Sequence, residues 1–321
     1  MFSSRHQIHI SIKDRSILFL EAGKNQQFFH YGQKCIPSGV IQEGQIKDME
    51  TLVMLLEEIV TVHKWRGKTL SFCIPDSVVI VRKIVIPEEV LDDEILGYLY
   101  MQLGESIHLP FDDPVLEAVP MEGFDQNREA ILIASKESVI NDFVELFKEV
   151  SLKPVVADLS MLSIYRTYFN TGLAEAQDHL LLVQIALDYM LLSVFHQHQP
   201  VFVRHYPLEF SEEEVEVAKN RNGMEYYTWA GSYDSVIRKS KDLNAEIQRF
   251  LSYYRYNFST NEQSITKMIV TGDHPCTETF YTELTESIET DIIPFIQPLF
   301  QTKKGINIPA VYTDCIGLAL K

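Results

Sequence analysis

Two stretches of this 321-residue chain, 173 positions apart, begin alike. Ile8-His9-Ile10-Ser11-Ile12-Lys13-Asp14-Arg15-Ser16-Ile17-Leu18-Phe19-Leu20 is apolar around one short polar break, the pattern of a strand, a tight turn and a second strand. Leu181-Leu182-Val183-Gln184-Ile185-Ala186-Leu187-Asp188-Tyr189-Met190-Leu191-Leu192-Ser193 repeats it. A hairpin opening each half of the chain predicts two lobes of like design. Neither turn contains glycine. A Cβ in such a turn blocks the close approach and the φ > 0 geometry by which backbone N–H groups hold phosphate.

The rest of the chain predicts strands alternating with helices, hence an α/β fold. A third strand is expected around Phe28-Phe29-His30-Tyr31. Asp48 can cap a helix with apolar residues at Leu52, Leu55, Leu56, Ile59 and Val60. Residues 69–74 read as a short strand ended by Pro75-Asp76, and 78–86 as a β-branched strand broken by Arg82-Lys83. Pro87-Glu88-Glu89 reads as the opening of a helix through Ile95, Leu99 and Leu103, followed by a strand at 129–134 and a helix over 135–150. In the second half, 180–204 reads as two or three strands with a turn at His196-Gln197-His198-Gln199. A largely helical acidic stretch follows over 211–257, then a strand at 267–271, a Gly-containing turn and a closing helix from Asp314.

Forty-six per cent apolar and 23% charged residues are the proportions of a globular protein. A net charge of −17 argues against nucleic acid, which is bound by neutralising phosphates with Lys and Arg, and against direct docking on anionic lipid. The four cysteines, Cys35, Cys73, Cys276 and Cys315, lack C-x-x-C spacing and fit buried thiols in a reducing compartment. The opening residues are polar with no apolar run behind them, and the most apolar segment, 180–195, is too short to span a bilayer and carries Gln184 and Asp188. A cytoplasmic protein is expected.

The usual chemistry is missing. Gly67-Lys68-Thr69 resembles the end of a P-loop, but Val62 stands where its first glycine belongs. No G-x-S-x-G elbow is present. His196, His198 and His205 have no Cys or carboxylate at a ligand spacing, so no metal site is expected. Glu212-Glu213-Glu214 and Asp92-Asp93-Glu94 read as helix starts, where acidic residues favour the dipole. Arg82-Lys83 within an apolar strand implies a face open to solvent or to a partner.

Four segments carry a family resemblance: Pro37-Ser38-Gly39-Val40-Ile41-Gln42-Glu43-Gly44-Gln45-Ile46-Lys47-Asp48, Ile74-Pro75-Asp76-Ser77-Val78-Val79-Ile80-Val81-Arg82-Lys83-Ile84, Glu246-Ile247-Gln248-Arg249-Phe250-Leu251-Ser252-Tyr253-Tyr254-Arg255, and Cys315-Ile316-Gly317-Leu318-Ala319-Leu320. In this collinear order they resemble the PilM family of type IV pilus assembly proteins. The duplicated hairpin is also the layout of the actin, Hsp70 and sugar-kinase ATPases.

The resemblance implies an actin-like (ribonuclease H-like) two-lobed fold with an FtsA/PilM-type inserted subdomain. The first lobe would span 1–178 (core 1–76 and 153–178, insertion about 77–152). The second would span 179–321, with core 179–206 and 264–310, a smaller helical subdomain about 207–263, and a segment 311–321 returning to the first lobe. It further implies a place at the inner face of the cell membrane, through a PilN-like bitopic protein. That partner's N-terminal cytoplasmic tail would lie extended in a groove between the first-lobe core and the insertion. Val79, Ile80, Val81, Arg82, Lys83 and Ile84 are the groove candidates. No nucleic acid and no direct membrane insertion are expected, the chain ending without an amphipathic anchoring helix; a homo-oligomer is left open.

The family's phosphate motifs do not carry over. Its Asp-Ile-Gly and following serines are matched by Ser11-Ile12-Lys13-Asp14-Arg15-Ser16, and a later Lys by Leu18. Its second Asp-x-Gly is matched by Gln184-Ile185-Ala186, and a Gly-Gly pair by Leu208-Glu209. In the adenosine motif Gly272 survives, followed by Asp273-His274. Losing each Asp removes an anionic oxygen that would hold Mg²⁺ through its water shell. The expectation is a pseudo-ATPase scaffold of a pilus, secretion or DNA-uptake apparatus, with no cofactor and no catalytic residue. The alternatives are an ATPase whose divergent loops still close on Mg-ATP through Lys13, Arg15 or Asp188, and a filament-forming protein.

Overall fold

A computed structural model describes residues 6–121, 128–209, 211–221, 223–258, 264–293 and 298–321. The first hairpin is β1 (Gln7–Ile12) with β2 (Ser16–Ala22), and β3 (Phe28–Cys35) extends the meander. A two-residue pair, β4 (Ile41–Gln42) and β5 (Gln45–Ile46), leads to Asp48, whose carboxylate accepts the Thr51 N–H at 3.0 Å and so starts α1 (Met49–His63). α1 turns Leu52, Leu56, Ile59 and Val60 inward, and β6 (Thr69–Ile74) returns parallel to β1. Next come β7 (Val79–Val85), α2 (Ile95–Gln102), β8 (Pro114–Met121), β9 (Glu129–Lys136), α3 (Glu137–Glu149), β10 (Lys153–Leu159) and α4 (Ser160–Asn170). β10 joins β6 in parallel, completing a sheet of order β10-β6-β1-β2-β3.

The second half repeats this wiring. β11 (Leu180–Ile185), β12 (Tyr189–His196) and β13 (Gln199–Pro207) form its meander. There follow β14 (Val215–Lys219), β15 (Glu225–Trp229), α5 (Tyr233–Phe258), β16 (Lys267–Gly272), α6 (Thr277–Ser287) and β17 (Asp291–Ile293). The sheet order is β13-β12-β11-β16-β17, with β16 and β17 parallel to β11. Ile12 faces Ile17 and Ile185 faces Met190, so the 173-residue offset holds on both strands and the two turns have equal length. β18 (Phe300–Gln301), β19 (Asn307–Ile308) and α7 (Thr313–Ala319) close the chain.

Each sheet has its own core, and a third core joins them. Met161, Ile164 and Tyr165 of α4 pack with Leu182, Leu191 and Phe195 of the second sheet and with Val81, Ile131 and Ile133 of the inserted strands. α7 returns to the first sheet: Cys315 and Ile316 cover Leu18 and Leu20. It crosses α4 so closely that a Cβ on Gly317 would stand 1.7 Å from the Ser163 carbonyl oxygen, which is why a glycine is required there. The small sheet β7-β9-β8 has a separate core with α2, built on Ile86, Ile95, Leu99, Leu116 and Leu132. α3 does not share it. Its Val139, Phe143, Leu146 and Phe147 fill the first lobe's core, so the separately cored part of the insertion ends with β9.

Two expected elements are different. The helix expected from Pro87 begins at Ile95, because 87–94 are spent on turns closed by Val90 N–H to the Pro87 oxygen and Glu94 N–H to the Leu91 oxygen. The stretch 211–257 opens with a single 3-10 turn at Glu212–Glu214, capped by Ser211, and continues as the β14–β15 hairpin rather than as helix. There Val215-Glu216-Val217 pairs with Trp229, Thr228 and Tyr227 at strand period. The expected end of the 207–263 subdomain lies at 259–263, outside the described residues. β8, β10, α4 and α6 had no counterpart in the sequence reading.

Candidate functional site

The two hairpin turns meet across a cleft, with Lys13 and Asp14 on one wall and Asp188 and Tyr189 on the other. Lys13, only 7% exposed, reaches over to the second lobe: its ammonium donates to Asp273 Oδ1 at 3.0 Å and lies 3.8 Å from Asp314 Oδ2 of α7. The Ser16 hydroxyl donates to the other Asp273 oxygen at 2.6 Å. Both oxygens of Asp273 are therefore held by the first hairpin. Burial works against the Lys13 ammonium, but the two carboxylates and the hydrogen bond to Asp273 outweigh it, and its pKa ends above the ordinary value.

Arg15 makes a second bridge, a two-pronged one to Glu212 at 2.5 and 3.0 Å, with Tyr227 Oη 3.4 Å away. The Arg15 hydrogen bond holds the Glu212 carboxyl below its usual range. Beside it, Lys34 of β3 pairs with Glu225 of β15 at 3.2 Å. Deeper in, Asp76 accepts from Ser160 Oγ at 2.6 Å and from Tyr189 Oη at 2.9 Å. Gln184 joins this group, accepting from Ser160 at 3.2 Å and donating to Tyr189 at 3.3 Å. Burial raises the pKa of Asp76 and Asp14, and burial with Asp14 and Asp273 nearby pushes Asp188 up to about 7.

The positions singled out from sequence are thus filled from within the chain. Ser11 is buried opposite Cys73, and Leu18 points into the apolar contact with α7. Ala186 donates its N–H to the Tyr189 oxygen at 2.9 Å, and Leu208 donates to the Asp188 oxygen at 2.7 Å, so these amides are spent on local turns. Gly272 has φ +136°, and a Cβ there would lie 1.9 Å from the Ile185 carbonyl oxygen, so the approach of β11 to β16 by itself demands glycine. The cavity left between the turns is about 150 Å³ and is lined by Asp14, Glu43, Asp76 and Asp188, with Lys13 already committed. Phosphate oxygens entering this cavity without a metal ion would meet carboxylates in a low-dielectric space, with no free cation among the described lining residues, whereas the same carboxylates are the oxygen ligands that magnesium takes. On the far side of Asp273 a larger cavity, about 470 Å³, is lined by Gly272, Thr277, Tyr281 and Val311.

The family model for type IV pilus assembly protein PilM matches residues 9–310. The chain belongs to the PilM family. No curated protein sequence matches it. Among solved structures, the PilM-PilN type IV pilus biogenesis complex is similar at 17% identity over 99% of this chain and 98% of that one, with a TM-score of 0.77. The ethanolamine utilization protein EutJ from Carboxydothermus hydrogenoformans follows at 9% identity, 98% and 89% coverage and a TM-score of 0.52. MreB5 of Spiroplasma citri bound to ADP is similar at 10% identity, 98% and 95% coverage and a TM-score of 0.50. These likenesses fix the fold as actin-like. No helix among the described residues is long and apolar enough to cross a membrane.

Of the groove candidates on β7, Val81 is buried, Arg82 is exposed and the others are half-buried. Val79 and Val81 face β13 of the second lobe in the core that joins the lobes, while Ile80 and Ile84 face α2. Arg82 donates to the His108 carbonyl at 3.1 Å, and Lys83 pairs with Glu129 at 2.6 Å. The open side of this small sheet is β8. Val115 and Val119, 37% and 41% exposed, lie on the face of Ile131 and Ile133, since Val119 pairs with Ile131 and Val115 with Ser135. Exposed Glu117, opposite Ile133, stands between the two valines, and Ile131 and Ile133 are themselves buried in the core that joins the lobes. The three histidines are dispersed: His196 stacks on His179, His205 stacks on Tyr189, and His198 bonds the Tyr165 hydroxyl at 2.9 Å. Among the described residues no three His, Cys, Asp or Glu side chains form a metal-binding group. Asp76, Ser160, Tyr189, Glu212 and Asp314 are the site residues that sequence reasoning missed; Pro75-Asp76 at a strand end was the one visible signal.

Proposed function

We propose that the protein is a pseudo-ATPase scaffold of a type IV pilus or related assembly platform, which binds the extended N-terminal tail of a PilN-like membrane protein and works without nucleotide. One observation carries the reading: Asp273, next to the surviving Gly272, is clasped by Lys13 and Ser16 of the opposite hairpin. The lobes are bridged where a nucleotide's phosphates would otherwise bridge them. The PilM–PilN complex among the similar structures supports a tail-type partner. The exposed edge of β8, a seam with Val115 and Val119 on either side of Glu117, is the surface we assign to it, beside the β7 candidates at 79–84. Recruitment to the inner face of the cell membrane would follow from that partner.

The test uses the purified protein and the N-terminal cytoplasmic peptide of a PilN-like bitopic protein. Saturable binding, weakened about tenfold by Val119→Asp, is expected; no association with the peptide near millimolar would reject the reading. The 470 Å³ cavity beside Gly272 favours one rival, an ATPase that still takes a nucleotide. Ligand at about 100 times its Kd stabilises by roughly 2.7 kcal/mol. An unmoved unfolding midpoint in millimolar Mg-ATP is expected, and a clear rise would favour the rival.

A further inference from the structure

The insertion carries a second surface, on the face of its sheet opposite the tail seam. α2 packs Ile95, Leu96, Tyr98, Leu99, Tyr100 and Met101 into eight residues, and a helix apolar on all sides is ordinarily buried on all sides. Here only one side is covered. Ile95 and Leu99 are 1% exposed against Leu116, Leu132 and Ala134, whereas Leu96 is 41% and Met101 70% exposed, and Tyr100, whose hydroxyl accepts the Leu116 N–H at 3.2 Å, still leaves 44% of its surface open. Leu91, in the turn before, is 61% exposed. Gly97 sits on the bare side, and a Cβ there would meet no atom within 4 Å. Glycine in a helix costs about 1 kcal/mol relative to alanine. Nothing described in this chain uses the space that the glycine leaves.

The surroundings are predominantly negative, with Arg82, on the β7 face that α2 covers, and Arg128 as the nearby cations. Residues 86–113 contain eight Asp and Glu and neither Lys nor Arg, a formal −8 of the chain's −17. Arg128, at the start of β9, meets Asp92, and Asp113 caps α3 by accepting the Ser138 N–H at 2.9 Å. The remaining carboxylates leave the rim strongly negative. A second copy laid on this face would set that charge against itself, and anionic lipid would be repelled.

We propose that α2 is a docking face for an amphipathic helix of another protein, whose apolar side meets Leu96, Tyr100 and Met101 and whose flanks carry Lys or Arg. This is the helix-on-apolar-face mode of recognition, with affinity from the apolar contact and partner choice from the charged rim. The hollow at Gly97 lets the incoming backbone come close. This surface is separate from the tail seam, so its fate does not depend on the tail.

The experiment uses the full chain and two fluorescein-labelled Lys/Leu peptides of one composition, each about 18 residues, long enough for five turns. In one the leucines fall on a helical stripe, and in the other they are scrambled. Anisotropy at 0.15 M salt should show the striped peptide binding about tenfold tighter than the scrambled one. Leu96→Gln with Met101→Gln should remove that preference while leaving the thermal midpoint unchanged, and Glu88→Gln with Asp93→Asn should weaken binding and flatten its salt dependence. Equal binding of the two peptides, or an unaltered preference in the Leu96→Gln/Met101→Gln protein, would overturn the proposal. So would a wild-type dimer in sedimentation that the same double variant abolishes, or flotation of the wild type with anionic vesicles.

Discussion

Replacing Lys13 by Met tests whether the clasp joins the lobes. The substitution keeps the length of the side chain and removes its charge. It leaves Asp273 and Asp314, with side chains 6% and 2% exposed, without the ammonium that stood 3.0 and 3.8 Å from them. Breaking a buried pair from one side costs about 3–5 kcal/mol, most of it the stranded charge, whereas removing both members costs much less. Lys13→Met and Asp273→Leu should each lower stability by that order, and the double variant by clearly less than the sum. A coupling of about 2–3 kcal/mol is expected, where independent sites add within about 0.5 kcal/mol. The assay is urea unfolding read at the lobe interface, with small-angle scattering of the native proteins to register widening of the cleft. Singles that cost under about 1 kcal/mol and simply add, with unchanged scattering, would refute the claim that this bridge holds the cleft. Over pH 6–9 the bridge should not weaken from the lysine side. A raised Lys13 pKa keeps its contribution whole below the unfolded value of about 10.4 and gives it up only as pH rises through the folded one.

Gly272→Ala should abolish soluble expression or lower the unfolding midpoint severely in the absence of any nucleotide, since its Cβ would stand 1.9 Å from the Ile185 oxygen; a tolerated alanine would mean that β11 and β16 are not so close. Asp188, with its carboxyl pushed up to about 7, is favoured in its neutral form by the fold. Its contribution is whole below the unfolded carboxyl value near 3.9 and disappears as pH rises through about 7. Stability should therefore fall between about pH 4 and 7, and Asp188→Asn should remove that part of the slope; identical pH profiles would count against it.

The fold was legible where the signal is local. Ile8–Leu20 and Leu181–Ser193 show strand, turn and strand because both strands of each hairpin are buried on both faces, and the Asp48 cap with its stripe of leucines shows α1. The run Glu212-Glu213-Glu214 hid the β14–β15 hairpin, because three acids look like a helix start while the strand alternation begins only at Val215. The cleft was half legible. The lost Gly and Asp of the phosphate turns could be read residue by residue. That Lys13 would find Asp273, 260 positions later, depends on how the lobes close and leaves no trace in either neighbourhood. β7 shows the same limit: its β-branched residues suit a peptide groove and a lobe interface alike, and β13 packs against its Val79 and Val81 face.

The contact between α7 and β2 ties an early-made stretch of this chain to one made much later. Leu18 and Leu20 are covered by Cys315 and Ile316, nearly 300 residues downstream. At roughly 5–20 residues per second, the oily underside of the first hairpin waits on the order of 15–60 s on the ribosome before its cover emerges. During that interval the nascent amino-terminal lobe is a natural client for chaperones. Substitutions in α7 should therefore lower the yield of intact protein more than their cost to the finished fold would suggest.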